Sequence, residues 1–135
     1  MNGFTTQLSV TFLSDNKYVV ISPLVFENDK YIVTVLEGFV YNGANIPEEL
    51  TSMVGCSMEY AMAMSSCIHD ALYASNLVSR KEADKIMYRA MISLGKNQLE
   101  AIAIYKAVRV FGDIYYRSRE NIVESREFVM IELKV

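Results

Sequence analysis

The hydrophobic pattern of this chain changes its period near Pro47, and that single change limits the folds open to it. A strand places every second side chain on one face, whereas a helix returns to the same face after about 3.6 residues. Phe4 to Leu13 alternates loosely and is rich in threonine and valine. Tyr18 to Phe26 is β-branched and aromatic, with Pro23 marking an edge position or a bulge. Tyr31 to Leu36 (YIVTVL) is a compact strand, and Ser14–Lys17 and Glu27–Lys30 are turn clusters. Residues 1–41 therefore predict an antiparallel meander of about three strands. Gly38 to Pro47 (GFVYNGANIP) is the joint. Asn42-Gly43 signals a turn, Asn45 and Pro47 suit a helix start, Glu48 and Glu49 complement its dipole, and Gly55 suits its end.

Residues 47–116 read as mostly helical. The segment from Ser57 to Ala74 is apolar nearly all round, the mark of a central helix. A second helix starts at Ser79, where Ser79 and Glu82 form a capping box. Its stripe is Ala83, Ile86, Met87, Ala90, Met91 and Leu94, and Gly95 stops it. A third begins near Asn97 with Glu100 at the box position. Ala101, Ile104, Tyr105, Val108, Phe111 and Gly112 form its expected buried face. In the tail, residues 120–135, the alternation from Glu127 to Val135 suits a last strand. The expected architecture is one α+β domain over residues 1–135: an N-terminal antiparallel sheet packed on three to four helices.

A chain of 135 residues, 52% of them apolar, builds a core without disulfides or a structural metal. The net charge of −3 argues against a dedicated duplex-DNA binder, which needs a basic face. The charge is uneven: residues 77–119 carry nine basic and four acidic side chains. A solvated helical surface is the ordinary explanation; a basic wall beside a pocket for a small anion is the functional one. Cys56 and Cys67 lack zinc-ligand spacing, and there is one histidine. Two reduced, buried thiols in a cytoplasmic protein are expected. No secretory leader pattern opens the chain, and the most apolar stretch, Tyr60 to Tyr73, is too short for a membrane span and contains His69 and Asp70.

That ionisable pair is the most informative one in the chain, because a charge in so apolar a helix is costly unless hydrogen-bonded or paired. Positions 62, 65, 69, 72 and 73 share a helical face, so His69 lies with Met62, Ser65 and Tyr73. Arg80 and Asp84 stand four apart on the next helix. Asp84 adjoins the core positions Ala83 and Met87 and is placed to reach back to the preceding helix. His69, Asp70, Asp84 and Arg80 together would supply acid, base and cation, enough for proton transfer or for one divalent metal ion. A structural histidine and a surface i, i+4 pair are the plain alternatives. No Walker loop, dinucleotide fingerprint, H-E-x-x-H or G-x-S-x-G appears. Cys67 and His69, two apart on a helix, point about 200° apart, which argues against a Cys-His enzyme. The eight methionines fall mostly at core spacing and read as packing.

Three segments in order, Phe39-Val-Tyr-Asn-Gly-Ala-Asn-Ile-Pro47, His69-Asp-Ala-Leu-Tyr73 and Ser79-Arg-Lys-Glu-Ala-Asp84, lead to a helix ending Ala107-Val-Arg-Val-Phe-Gly112. This order resembles domain-of-unknown-function family 1353, with its F-x-T-D-x-A-S-x-P, H-D-x-L-Y and S-R-x-x-A-D motifs, over about residues 30–116. The resemblance implies a phage genome, expression in a bacterial cytosol, and a shared site at His69, Asp70, Arg80 and Asp84. It brings no established activity. The chain departs from the family pattern where T-D becomes Tyr41-Asn42 and A-S becomes Ala44-Asn45. An asparagine is neither a base nor a strong metal ligand.

Three functions compete. The first is a hydrolase of a small anionic substrate, such as a nucleotide signal, with His69 as base or metal ligand, Asp70 or Asp84 as its partner, Arg80 as anion clamp, and the Asn42–Asn45 loop and Tyr73 lining the site. The second is a non-catalytic module that sequesters a host nucleotide signal, with Tyr41, Tyr73 and Tyr105 for stacking. The third is a structural or host-interaction protein. No duplex nucleic acid and no membrane are expected as partners, and self-association stays open.

Overall fold

The computed structural model describes residues 3–14, 17–41, 60–117 and 122–134. Strands come first: β1 (Gly3–Phe4), β2 (Val10–Ser14), β3 (Lys17–Val20), β4 (Leu24–Glu27), β5 (Tyr31–Val35) and β6 (Val40–Tyr41). Helices follow: α1 (Tyr60–Ser75), α2 (Arg80–Ser93), α3 (Gln98–Arg117) and the short α4 (Ile122–Ser125), before a closing strand β7 (Val129–Leu133). The class is α+β, with the C-terminal strand present.

The strands form two antiparallel sheets, β1-β4-β5-β7 and β2-β3-β6, where one meander was expected. Pro23 is the reason. Proline has no N–H for a ladder and a fixed φ, and the run from Tyr18 to Phe26 breaks there. Its first half, β3, pairs with β2 and β6; its second half, β4, pairs with β1 and β5. The larger sheet is closed by the chain's end, with Val35 opposite Val129 and Val33 opposite Ile131. Alternation then works as a strand dictates: Leu24, Phe26, Val33 and Val35 all point inward and are fully buried.

Helix α1 lies between this sheet and the other helices. Met64, Cys67, Ile68, Ala71 and Leu72 join the sheet residues in one core cluster. Met62 joins a second cluster with Met87, Met91, Ala101, Ile104 and Val108. Contact on both sides explains a helix with so little polar surface, and each large buried side chain contributes about 1.5–3 kcal/mol.

The ends are fixed by the expected residues. Ser79 Oγ accepts the backbone N–H of Glu82 at 3.1 Å, and Asn97 Oδ1 accepts that of Leu99 at 2.8 Å. Gly95 ends α2 at φ +83°, a left-handed value that suits glycine. The end of α1 is held from afar, as Arg126 Nε donates to the Ser75 carbonyl at 2.7 Å.

Two details differ from expectation. Helix α3 runs to Arg117, and Phe111, placed on its buried face, is half exposed. Gly112, its neighbour, is the residue that faces inward. The expected helix after Pro47, Cys56 and the start of α1 at Ser57 lie outside the described residues. Among the described residues no helix is long and apolar enough to cross a membrane.

Candidate functional site

Asp84 leaves the apolar stripe of α2 and is fully buried. A bare carboxylate there would be strongly disfavoured, and both of its oxygens are engaged. Oδ1 accepts from His69 Nε2 at 2.7 Å and from the Tyr73 hydroxyl at 2.6 Å, both on α1. Oδ2 accepts from Arg109 Nη1 of α3 at 2.8 Å and faces Arg80 Nη1 at 3.6 Å. One carboxylate thus joins three helices.

The surrounding groups fix this geometry. The His69 and Tyr73 rings lie 4.1 Å apart between centroids, and Tyr116 meets Tyr73 edge-on at 5.2 Å. The Tyr116 hydroxyl in turn donates to the Val78 carbonyl at 3.0 Å. The Arg80 guanidinium donates to the carbonyls of Val108 and Arg109 at 3.0 and 3.1 Å, and its Nε stands 3.9 Å from Asp113. Gly112 makes this approach possible. A Cβ at position 112 would stand 2.6 Å from the Tyr73 hydroxyl and 3.2 Å from Arg80 Nη1.

The electrostatics follow from these contacts. Burial alone would raise the Asp84 pKa, but the hydrogen bonds from His69, Tyr73 and Arg109 prevail and hold it below the usual carboxylate range. Burial raises the Tyr73 phenol, and the bond to Asp84 raises it further. An ionised carboxylate only accepts, so the His69 nitrogen facing it, Nε2, carries a hydrogen. His69 Nδ1 has no hydrogen-bond partner among the described residues, and the His69 side chain is 15% exposed.

Four of the sequence-derived site residues, His69, Tyr73, Arg80 and Asp84, converge here, and Asp84 does reach the preceding helix. Asp70 is placed elsewhere. It is buried, and its charge acts on Cys67 and Tyr41, on the side of α1 toward β6. One residue along a helix turns the side chain by about 100°, which separates it from His69. Asn42 and Asn45 lie outside the described residues. Among the described residues no group of three or more His, Cys, Asp or Glu is arranged to hold a metal ion. The guanidinium groups of Arg80 and Arg109 stand 3.6 and 2.8 Å from Asp84 Oδ2.

Sequence reasoning missed Arg109 and Tyr116, which come from the far end of α3. The usable signal was Gly112, a glycine inside a helical stripe, which commonly marks a close approach. The family described as "Protein of unknown function (DUF1353)" matches residues 18–108. The chain belongs to the DUF1353 family. The DUF1353 match spans β3 to α3 and takes in His69, Tyr73, Arg80 and Asp84, ending one residue before Arg109. No curated protein and no solved structure matches the chain.

Proposed function

We propose that this DUF1353 protein is an acid–base hydrolase of a small anionic substrate, encoded by a phage and acting in the bacterial cytoplasm. One observation carries the reading: a buried, ionised Asp84 holds His69 through Nε2, and Nδ1 of this 15% exposed side chain has no hydrogen-bond partner among the described residues. In this arrangement Nδ1 takes a proton from water as the water oxygen attacks the substrate. Asp84 stabilises the imidazolium that forms, which then returns the proton to the leaving group. Arg80 is committed to two carbonyls and two carboxylates, so the anion clamp passes to Arg109. Its side chain is 30% exposed and binds Asp84 through Nη1 alone, leaving further donors for the substrate. Tyr73 positions the His69 ring.

Binding without turnover is the second reading, and Asn42 in place of the family's aspartate favours it. A panel of chromogenic phosphate mono- and diesters and carboxylic esters tests the first. Turnover should appear with at least one class and fall by about 10²–10⁴-fold in His69→Gln with the fold intact. As the chain has one histidine, its ¹⁵N spectrum can be assigned without ambiguity and should show the Nε2–H tautomer. No turnover across the panel, or turnover unchanged in His69→Gln, would refute hydrolysis at this site.

A further inference from the structure

The α2–α3 hairpin carries a second feature that the Asp84 cluster does not use. Lys85, Tyr88 and Arg89 on α2 face Ile102, Tyr105 and Lys106 on α3 across a cleft of about 420 Å³. The spacing is i, i+3, i+4 on both helices, which puts each trio on one face. The two tyrosine rings meet nearly edge to face, 6.0 Å apart, and the Arg89 guanidinium stands 5.7 Å from the Tyr88 ring centre. Both rings are half-buried, while Lys85, Arg89 and Lys106 are exposed.

The cations distinguish this cleft from an ordinary charged surface. Arg80, Lys96, Arg109 and Lys134 all form ion pairs with carboxylates. Lys85, Arg89 and Lys106 form none among the described residues, and no acidic side chain lines the cleft. Three positive charges without a close ion pair thus ring an aromatic and aliphatic floor, although the Arg89 charge also acts on exposed Asp29 outside the cleft. Such a site attracts a ligand with a flat ring at one end and negative charge at the other.

We propose that the cleft binds a nucleoside mono- or diphosphate. The base would stack on the Tyr105 ring with Tyr88 meeting it edge-on, and the phosphate would lie among Lys85, Arg89 and Lys106. The volume suits one such ligand, within the usual range of about 300–1,000 Å³ for small-molecule sites. A nucleic-acid strand fits less well, because the cationic trio spans little more than one helical turn and the chain's net charge is −3. Neither His69 nor Asp84 lines the cleft, so the proposal stands apart from hydrolysis.

Calorimetric titration with AMP and ADP, beside adenosine, ribose 5-phosphate, inorganic phosphate and a ten-nucleotide single strand, tests it. AMP or ADP should bind saturably, with adenosine and ribose 5-phosphate each at least about tenfold weaker. Lys85→Gln with Lys106→Gln changes only exposed side chains, and the fold should survive. That pair should weaken AMP at least about tenfold and flatten its salt dependence. Tyr105→Ala should weaken AMP by about 10–100-fold, and His69→Gln should bind it as the parent does. The proposal is overturned by no saturation up to about 5 mM, by inorganic phosphate binding as well as AMP, by unchanged affinity in the lysine pair, or by a strand that binds where AMP does not.

Discussion

Gly112→Ala should destabilise the protein, although it replaces glycine by the best helix former inside a 20-residue helix. Propensity alone favours alanine there by about 1 kcal/mol. The structure reverses the sign, because the new Cβ would stand 2.6 Å from the Tyr73 hydroxyl and 3.4 Å from its Cζ. A free side-chain tip would move aside at little cost. This one is buried, bonded to Asp84 and wedged between His69 and Tyr116. Displacing it forfeits a hydrogen bond to a charged group, about 1.5–3 kcal/mol. Overpacking strain of about 1–3 kcal/mol is the alternative cost where the ring stays. Set against the propensity gain, the net effect is a loss of up to about 2 kcal/mol. Urea denaturation of Gly112→Ala, Tyr73→Phe and the double variant measures it. Tyr73→Phe removes the atom in the way, so Gly112→Ala in that background should be neutral to within about 1 kcal/mol, giving a coupling of about 2 kcal/mol. If Gly112→Ala alone stabilises the protein as in an ordinary helix, the close approach of α3 to Tyr73 is refuted.

Further outcomes are expected. Asp84→Asn should cost about 2–4 kcal/mol in denaturation, because Arg80 and Arg109 lose a buried counter-charge; a functional cluster read from sequence alone would have left stability nearly unchanged. Asp84 also sets an acid limit. Its folded pKa is depressed, so its contribution is complete above the usual carboxylate value of about 3.9 and is lost as pH falls through the lower folded value. Denaturation midpoints measured from pH 6 to pH 2 (about the range over which carboxylates titrate) should show a fall in the parent that is smaller in Asp84→Asn. Met62→Asp and Ile86→Asp should each abolish soluble expression, since both positions are 1% exposed; a near-native melting midpoint in either would show that the helix faces are misassigned.

Much of the fold was legible because local rules govern it. Ser79 and Asn97 cap their helices from their own side chains, Gly95 takes the left-handed conformation that ends α2, and the alternation in YIVTV decides which residues face the core. The lack of a polar face on α1 announced its central place, since only a helix covered on both sides keeps so much apolar surface. Asp84 was legible through its neighbours: between Ala83 and the core position Met87, a carboxylate has to find partners within reach.

What the tertiary structure decided depends on contacts between distant parts of the chain. The sequence pattern determined that His69, Tyr73, Arg80 and Asp84 lie on adjacent helices, because period and spacing are properties of single helices. It did not determine that Arg109 reaches Asp84 from 25 residues further on, or that Gly112 yields the space for Tyr73. Nor did it show that Pro23 divides the strands between two sheets, or that Asp70 turns away from its neighbour His69. Periodicity assigns a face to each element, but which faces meet is settled only when the helices pack.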